Sequence, residues 1–377
     1  MASEPSNLDQ KTEDPEGLDV TDYFGWGEYP LDSVFVRKEQ RSVAEIIKRI
    51  KANRYILNPD FQRDFVWPLK KQSRLIESCL MRIPLPVFYV AEANDGRIVV
   101  VDGLQRLTTF IRYLNDEFSL TKLGDNSEDT VYKNPLHGKR FSDLSINLQE
   151  RLEDTQLTLY ILDSKAPDRA KLDIFERVNS GEPLARQQMR NCLFNGQATK
   201  WLKWASERKE FVDATGESLD RKSMRDREAI NRFCAFLIMG YGKYKGDMDD
   251  FLAESLEIMN KMSNENLMKL KDLFLTSMKI NYKLFGRHAF RKSLAVNKQN
   301  AQRSIINISL FDVCSVFFAK NSKILDNVQE SLIRSRMSKL LTYYDFAQSI
   351  SYSTNGRRQV STRFEMMKYL LSSENDK

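Results

Sequence analysis

The stretch Val99-Val100-Val101-Asp102-Gly103-Leu104-Gln105-Arg106-Leu107-Thr108-Thr109 predicts a buried β-strand that passes through a polar turn directly into an α-helix. Such a turn directs the backbone N–H groups of the first helical turn toward a bound anion. Gly103 permits a tight turn or the close approach of a ligand. By residue chemistry, Arg106 is suited to phosphate oxygens, Asp102 to a divalent cation or a ligand hydroxyl, and Gln105 to orienting a water. The local pattern fits equally well a capped helix in which Asp102 pairs with Arg106.

Short strands and helices are predicted on both sides of this stretch. Ser42 and Glu45 form a capping-box pattern in front of a helically spaced apolar run. Gly, Asn, Pro and Asp between residues 120 and 142 predict a loop or insertion. Apolar patterning predicts strands at 55–57, 87–90, 97–101 and 156–162 and helices at 43–50, 70–82 and 104–114.

Strand signals stop after about residue 165, and the fold class predicted is therefore α+β. The chain of 377 residues is too long for one simple core. We expect an acidic flexible arm over 1–33, a mixed domain over 34–165 and an all-helical domain over 166–377. Helical spacing occurs at 168–178, 184–194, 199–209, 225–239, 250–262, 267–282, 305–319, 325–341 and 358–371.

Composition argues against several classes of protein. No apolar run approaches the roughly 18 residues needed to span a bilayer, and the acidic N-terminus lacks the blocks of a signal peptide. We therefore expect a cytoplasmic protein without a membrane partner. Metal-ligand spacing is absent among the cysteines, which are predicted to be reduced thiols packed as small hydrophobes. They are Cys79, Cys192, Cys234 and Cys314.

The formal net charge of +6 hides an asymmetry along the chain. Residues 1–33 contain nine acids and one base, a balance of −8, so the remaining chain carries +14. A basic body is compatible with an anionic partner such as nucleic acid, although basic runs are usually solvated helix faces. The basic clusters are Arg221, Lys222, Arg225 and Arg227; Arg287, Arg291 and Lys292; and Arg357, Arg358 and Arg363.

A second polar patch lies upstream, at residues 58–68. Gln62 and Arg63 stand between aromatic residues without helical or strand periodicity, so Arg63 is a candidate second anion-binding arginine beside Arg106. The alternative is that the aromatic residues belong to the core and Arg63 forms a surface ion pair. For Trp67 we prefer the core to a stacking platform.

The third segment, residues 175–184, predicts a helix that ends at Asn-Ser-Gly, followed by the start of another helix. Asn179, Ser180 and the Gly181 amide would face one turn, where they are suited to a phosphate or a base edge. A left-handed helix cap also explains Gly181 fully and Asn179 in part.

Together the three segments resemble a known family. The order QRDFVW, VDGLQRLTT and FERVNSGEPL, followed by RQQMRN, is similar to the N-terminal domain of GmrSD-type modification-dependent restriction enzymes. That family carries a DGQQR signature on a ParB/sulfiredoxin-like fold. The resemblance covers about residues 40–200 well. It implies nucleotide binding and NTP hydrolysis coupled to the recognition or cutting of foreign DNA.

The resemblance also implies which residues form the nucleotide site. An NTP of unknown base, together with Mg²⁺, is expected as the cofactor, with Asp102 as the metal ligand. Asp102, Gln105 and Arg106 are assigned to catalysis. The residues assigned to cofactor binding are Gln62, Arg63, Gly103, Thr108, Asn179 and Ser180.

The chain departs from the family in two respects. Leu104 stands where the signature has Gln, which removes one polar group and puts the hydrolysis rate in doubt. An HNH nuclease needs histidines in a DHxxP-like context, and the two histidines, His137 and His288, lie in other contexts. No cysteine lies beside the motif either, so a sulfinic-acid reductase is not expected.

Three functions follow from these residues. The first is an NTPase or NTP-gated switch that acts on DNA in restriction and phage defence; the second is a non-catalytic DNA-binding adaptor that keeps the fold without turnover. A metal-dependent nuclease using Asp102, Asp60 and Asp64 is less favoured, since no PD-(D/E)xK-like arrangement is visible. DNA is the expected partner. A protein that supplies nuclease activity and a homo-oligomer are both left open.

Overall fold

A computed structural model describes residues 13–17, 36–57, 67–93, 95–121, 135–166, 174, 185–296, 302–325 and 328–371. The chain divides into two compact units. The mixed unit is Gly25–Leu193, and the helical unit is Phe194–Lys377 together with Met1–Phe24.

The mixed unit contains a five-stranded mixed sheet, so the α+β class is confirmed. The strands are β1 Val36–Ser42, β2 Tyr55–Ile56, β3 Phe88–Glu92, β4 Ile98–Asp102 and β5 Gln156–Leu162, in the spatial order β1-β5-β3-β4-β2. β4 pairs antiparallel with β3 and parallel with β2, and β5 pairs parallel with β3 and antiparallel with β1. The described helices are α1 Val43–Lys51, α2 Leu69–Leu80, α3 Leu104–Leu114, α4 Ile146–Glu153 and α5 Arg186–Leu193.

Both faces of the central strand β4 are covered, which explains its continuous apolar sequence. Val100 belongs to the large core cluster, which includes apolar residues of α1, α2 and α3. The next residue, Val101, packs on the opposite face with Met189 of α5. Because alternate side chains of a strand point to opposite faces, the run Val99-Val100-Val101 supplies both cores. The packing of β4 on both faces therefore fixes the position at which α3 begins.

The charged edge strand β1 was not predicted from the sequence. Its residues, VRKEQRS, lack apolar alternation and are mostly exposed, yet they pair along their whole length with β5. Charged side chains suit an edge strand because they discourage pairing with other molecules. Arg37 donates to Glu92 at 2.9 Å, and Arg41 donates to the Tyr55 hydroxyl at 2.7 Å. α4 was also unpredicted.

The helical unit is built around aromatic side chains. The ring of Phe274 lies 5.3 to 5.9 Å from those of Trp201, Phe211 and Phe233. The helix predicted over 199–209 is wrong in its extent, because one helix ends at Ser206 and another begins at Lys209. The helices are α6 Gln197–Ser206, α7 Lys209–Thr215, α8 Arg225–Ile238, α9 Met248–Asn260, α10 Asn264–Phe285, α11 Ile308–Leu325, α12 Glu330–Leu340, α13 Tyr344–Ser349 and α14 Arg357–Met366.

Part of the N-terminal arm differs from the flexible segment expected. Residues 13–17 lie against the helical unit, where Glu16 forms an isolated parallel bridge with Asn307. The N–H of Glu16 donates to the Ile306 carbonyl at 2.9 Å, and the N–H of Ile308 donates to the Glu16 carbonyl at 2.9 Å. We call residues 13–17 the docked segment. Other residues of the arm lie outside those described.

Several smaller predictions are confirmed in the described residues. Cys79, Cys234 and Cys314 are free and buried, and burial raises the pKa of the Cys79 thiol to about 12. Trp67 packs against the core of the mixed unit rather than standing clear of it. Among the helices that are described, none combines the length and the apolar character needed to cross a bilayer.

Candidate functional site

The candidate site is the turn between β4 and α3, and one glycine makes its geometry possible. β4 ends at Asp102, Gly103 adopts φ +105°, and α3 begins at Leu104. A Cβ atom on Gly103 would lie 2.2 Å from Cδ1 of Phe88, well inside van der Waals contact. The turn therefore needs glycine twice, for its left-handed backbone and for the close approach of the Phe88 ring.

The N-terminus of α3 carries no side-chain cap. Gly103 is the N-cap residue, and the first turn of the helix contains no acidic side chain. The Gly103 carbonyl accepts from the N–H of Leu107 at 2.9 Å, which forms the first helical hydrogen bond. The N–H groups that precede it, on Leu104, Gln105 and Arg106, have no intrahelical acceptor. Such amides, reinforced by the helix dipole, favour an anion.

Arg106 is buried, and its guanidinium is engaged by groups of the protein. It donates to Asp102 Oδ2 at 2.8 Å, to the Val87 carbonyl at 3.0 Å and to the Pro86 carbonyl. Its Cζ lies 4.1 Å from the centre of the Phe88 ring. Burial lowers the pKa of Arg106, and the charge of Asp102 opposes this shift. The pairing of Asp102 with Arg106, which the sequence allowed as an alternative to phosphate binding, is thus present.

The consequence of this pairing is mechanical. The guanidinium joins the residues just before β3 to the residue that ends β4, and this link holds the turn in position. A fork of donors on two backbone carbonyls and a carboxylate holds a fixed geometry. Arg106 therefore fixes the position of the start of α3, while its charged group is directed at the Asp102 carboxylate and the two carbonyls.

Asp102 is the one carboxylate of the motif, and its side chain is 36% exposed. A half-exposed carboxylate is a suitable oxygen ligand for Mg²⁺, which is commonly held by one or two carboxylates together with phosphates and waters. In the part of the chain that the structure describes, no group of three or more His, Cys, Asp or Glu side chains is placed to hold a metal ion. A cation at Asp102 would consequently need further ligands from a nucleotide and from water.

The remaining motif residues differ in their surroundings. The Gln105 side-chain oxygen is buried and has no hydrogen-bond partner among the described residues. Thr108 is half-buried, further along α3. Leu104, at the position where the family signature has glutamine, is partly buried against the core of the mixed unit. Its side chain is therefore used for packing.

The structure brings together Asp102, Gly103, Gln105, Arg106 and Thr108 on one turn and one helix. Four other residues assigned from the sequence, Gln62, Arg63, Asn179 and Ser180, lie outside the described residues, as do Asp60 and Asp64.

Three groups that hold Arg106 were not predicted from the sequence, namely the carbonyls of Pro86 and Val87 and the ring of Phe88. Backbone carbonyls leave no pattern in a sequence. The local signal was the pair Pro84 and Pro86, which follows the end of α2.

The basic clusters of the helical unit are not simple exposed faces. Arg363 and Arg291 are 0% and 1% exposed, and they pair with Asp312 and Glu13. Arg225 pairs with Asp14. For Arg363 and Arg291, the interpretation as part of a solvated helix face is therefore wrong.

Comparison with known families gives one finding for this region. Residues 43–195 match the family model described as GmrSD restriction endonuclease, N-terminal domain. The match extends from the start of α1 to just beyond the end of α5 and includes the candidate site, but it spans less than half of the chain. A comparison of the chain with curated proteins gives no match.

Proposed function

We propose that this chain, whose residues 43–195 form a domain of the GmrSD N-terminal type, binds a nucleoside triphosphate at the β4–α3 turn as part of a restriction system that acts on DNA. The observation that carries the proposal is the uncapped N-terminus of α3 directly behind Gly103. A phosphate there accepts hydrogen bonds from the free amides of the first turn and interacts favourably with the helix dipole. Binding or hydrolysis of the nucleotide then switches how the chain acts on DNA.

In this proposal the residues of the motif have separate roles. The half-exposed carboxylate of Asp102 would hold Mg²⁺, which neutralises phosphate charge when bound. The buried and unpartnered oxygen of Gln105 is available to orient a water or a ligand donor. Arg106 is a positioning residue, because its guanidinium is fixed on Asp102 and on the carbonyls before β3.

The test is nucleotide binding by isothermal titration, with each of the four NTPs and with and without Mg²⁺. Arg106→Ala is expected to weaken binding at least tenfold, because the link that holds the turn in position is lost. Arg106→Lys is expected to weaken nucleotide binding similarly, since lysine keeps the charge but not the planar guanidinium that donates to several acceptors at once.

The matched control is Arg97→Ala, which removes an exposed arginine of the β3–β4 turn whose partner is Asp95. It is expected to bind like the unmodified chain. Unchanged affinity in a folded Arg106→Ala variant, checked by circular dichroism, would contradict binding at the β4–α3 turn, and no binding of any NTP by the unmodified chain would contradict the proposal as a whole.

A second function, a DNA-binding adaptor without turnover, is favoured by two observations. Arg106 is held in an internal pair with Asp102, and Leu104 packs on the core where a polar residue would face a ligand. Phosphate release from the four NTPs, measured with and without DNA, separates the two functions. Release stimulated by DNA supports the switch, whereas DNA binding without any release selects the adaptor.

A further inference from the structure

In the helical unit, the carboxylate of Glu13 is surrounded by cationic and amide donors. The Glu13 carboxylate accepts from Arg291 Nη1 at 2.9 Å, from Arg303 Nη2 at 2.7 Å and from the N–H of Ile306 at 2.9 Å. Its side chain is only 15% exposed. Two guanidinium groups and a backbone amide around one pair of oxygens are the donors that proteins use for a phosphate group.

The neighbouring acids of the docked segment contact further basic side chains. Glu16 pairs with Lys292, and Asp14 pairs with Arg225. Three acids of residues 13–17 thus meet four cations of the helical unit.

The central arginine of this site does not depend on Glu13 for its position. Arg291 also donates to the Thr215 carbonyl at 2.9 Å, to the Ser218 hydroxyl at 2.7 Å and to the Ser304 carbonyl at 3.3 Å. These bonds hold the guanidinium in place whichever anion faces it. The site is therefore preorganised, which lowers the free-energy cost of exchanging one anion for another.

Two buried hydroxyl groups lie beside Gly17 of the docked segment. At Gly17, a Cβ atom would lie 3.5 Å from both Ser309 Oγ and Thr354 Oγ1. These two hydroxyls belong to residues that are at most 2% exposed, and they have no hydrogen-bond partner among the described residues. Buried hydroxyls without partners are unfavourable, so a ligand able to reach them has an advantage over residues 13–17.

We propose that Arg291, Arg303, Lys292, Arg225 and the Ile306 amide form a binding site for the phosphodiester backbone of DNA, and that residues 13–17 compete with DNA for it. The choice of DNA as the polyanion rests on the proposed function; the site itself does not involve the β4–α3 turn. Displacement of the segment frees four cations from their acidic partners at once, and contacts between cations and phosphates dominate affinity for nucleic acid.

The first experiment measures binding of a fluorescent 20-base-pair duplex to the full chain by anisotropy, without nucleotide. Glu13→Gln with Glu16→Gln removes two charges but keeps the shape and one acceptor oxygen of each side chain. At least tenfold tighter binding than by the unmodified chain is expected. Adding Arg303→Gln to this variant is expected to abolish most of the gain.

The matched control is Glu207→Gln with Glu254→Gln, at two exposed positions of the same unit. It changes the net charge by the same amount and is expected to alter affinity less than about twofold, because scattered surface charges are screened. Equal gains in the two double variants would overturn the inference.

Hydrogen exchange of the unmodified chain gives an independent readout if the variant does not fold. Amide exchange at Glu16 and Ile308, which are hydrogen-bonded to Ile306 and Glu16, is expected to accelerate at saturating DNA. Unchanged or slower exchange while DNA is bound would overturn the inference. Because neither experiment contains NTP, loss of this site leaves the nucleotide proposal standing, and the reverse also holds.

Discussion

At the residue scale, the candidate site depends on a glycine whose two requirements can be separated. Gly103 has φ +105° and no room for a Cβ beside Phe88. Gly96, at the turn between β3 and β4, also has a positive φ, +78°, but nothing lies within 4 Å of its Cβ position. The two positions therefore share the backbone strain of an L-residue and differ in the steric contact.

Gly103→Ala is expected to reduce the free energy of unfolding by about 3 kcal/mol or more, from left-handed strain and overpacking together. Gly96→Ala is expected to lose only about 1 kcal/mol, from strain alone. Urea unfolding of both variants measures the difference. Equal losses would show that Phe88 moves aside freely and that the turn does not need the close approach.

At the element scale, three helices of the helical unit meet at one buried carboxylate. Asp312 of α11 accepts from Arg232 of α8 at 2.9 and 2.7 Å and from Arg363 of α14 at 3.1 Å. All three side chains are at most 1% exposed. Burial lowers the pKa of Arg363 to about 10, with Asp312 opposing the shift. The carboxylate thus shares its single negative charge between two guanidinium groups in the interior.

Asp312→Asn is expected to lower the free energy of unfolding by about 3–5 kcal/mol, because two buried cations lose their counter-charge. Asp272→Asn, at an exposed position of α10, is the matched control and is expected to change it by less than about 0.5 kcal/mol. Denaturant unfolding monitored by circular dichroism tests both. A loss in Asp312→Asn no larger than in the control would contradict a structural role for the triad.

At the scale of the whole molecule, the groups whose pKa changes on folding determine how stability depends on pH. The net charge of +6 includes an acidic N-terminal arm, part of which is used to neutralise buried or half-buried cations of the helical unit. Asp226 of α8 differs from these paired acids, since it is 4% exposed and burial raises its pKa to about 6. The N–H of Arg227, 2.7 Å away, offsets only part of this.

A raised carboxyl pKa means that the folded chain binds the Asp226 proton more tightly than the unfolded chain does. Its contribution to stability is fully present below about pH 4 and is lost as the pH rises through about 6. Asp226→Asn removes this dependence. Its stability relative to the unmodified chain is expected to rise by about 2 kcal/mol between about pH 4.5 and pH 8, measured by urea unfolding. A difference that does not change with pH would contradict the shift.

The sequence by itself determined the elements whose signals are local. The cap of Ser42 on the Glu45 N–H, the bounds of α3 and β5, and the turn at Gly103 all follow from residues a few positions apart. Helical spacing and strand alternation are imposed by the backbone, so they can be recognised without knowing what packs against them. The α+β class followed from the same patterns.

Only the tertiary structure decided what the charged side chains contact. Arg106 lies on carbonyls nearly twenty residues upstream, the charged strand β1 pairs with β5, and Arg291 meets a carboxylate 278 positions away in the chain. The energy of an ion pair depends on distance in space and on burial, and neither quantity leaves a periodic trace in the sequence. For that reason the sequence could propose Arg106 as a phosphate ligand and Arg291 as a surface cation. In the folded chain, Arg106 instead holds the β4–α3 turn in position, and Arg291 is paired with Glu13.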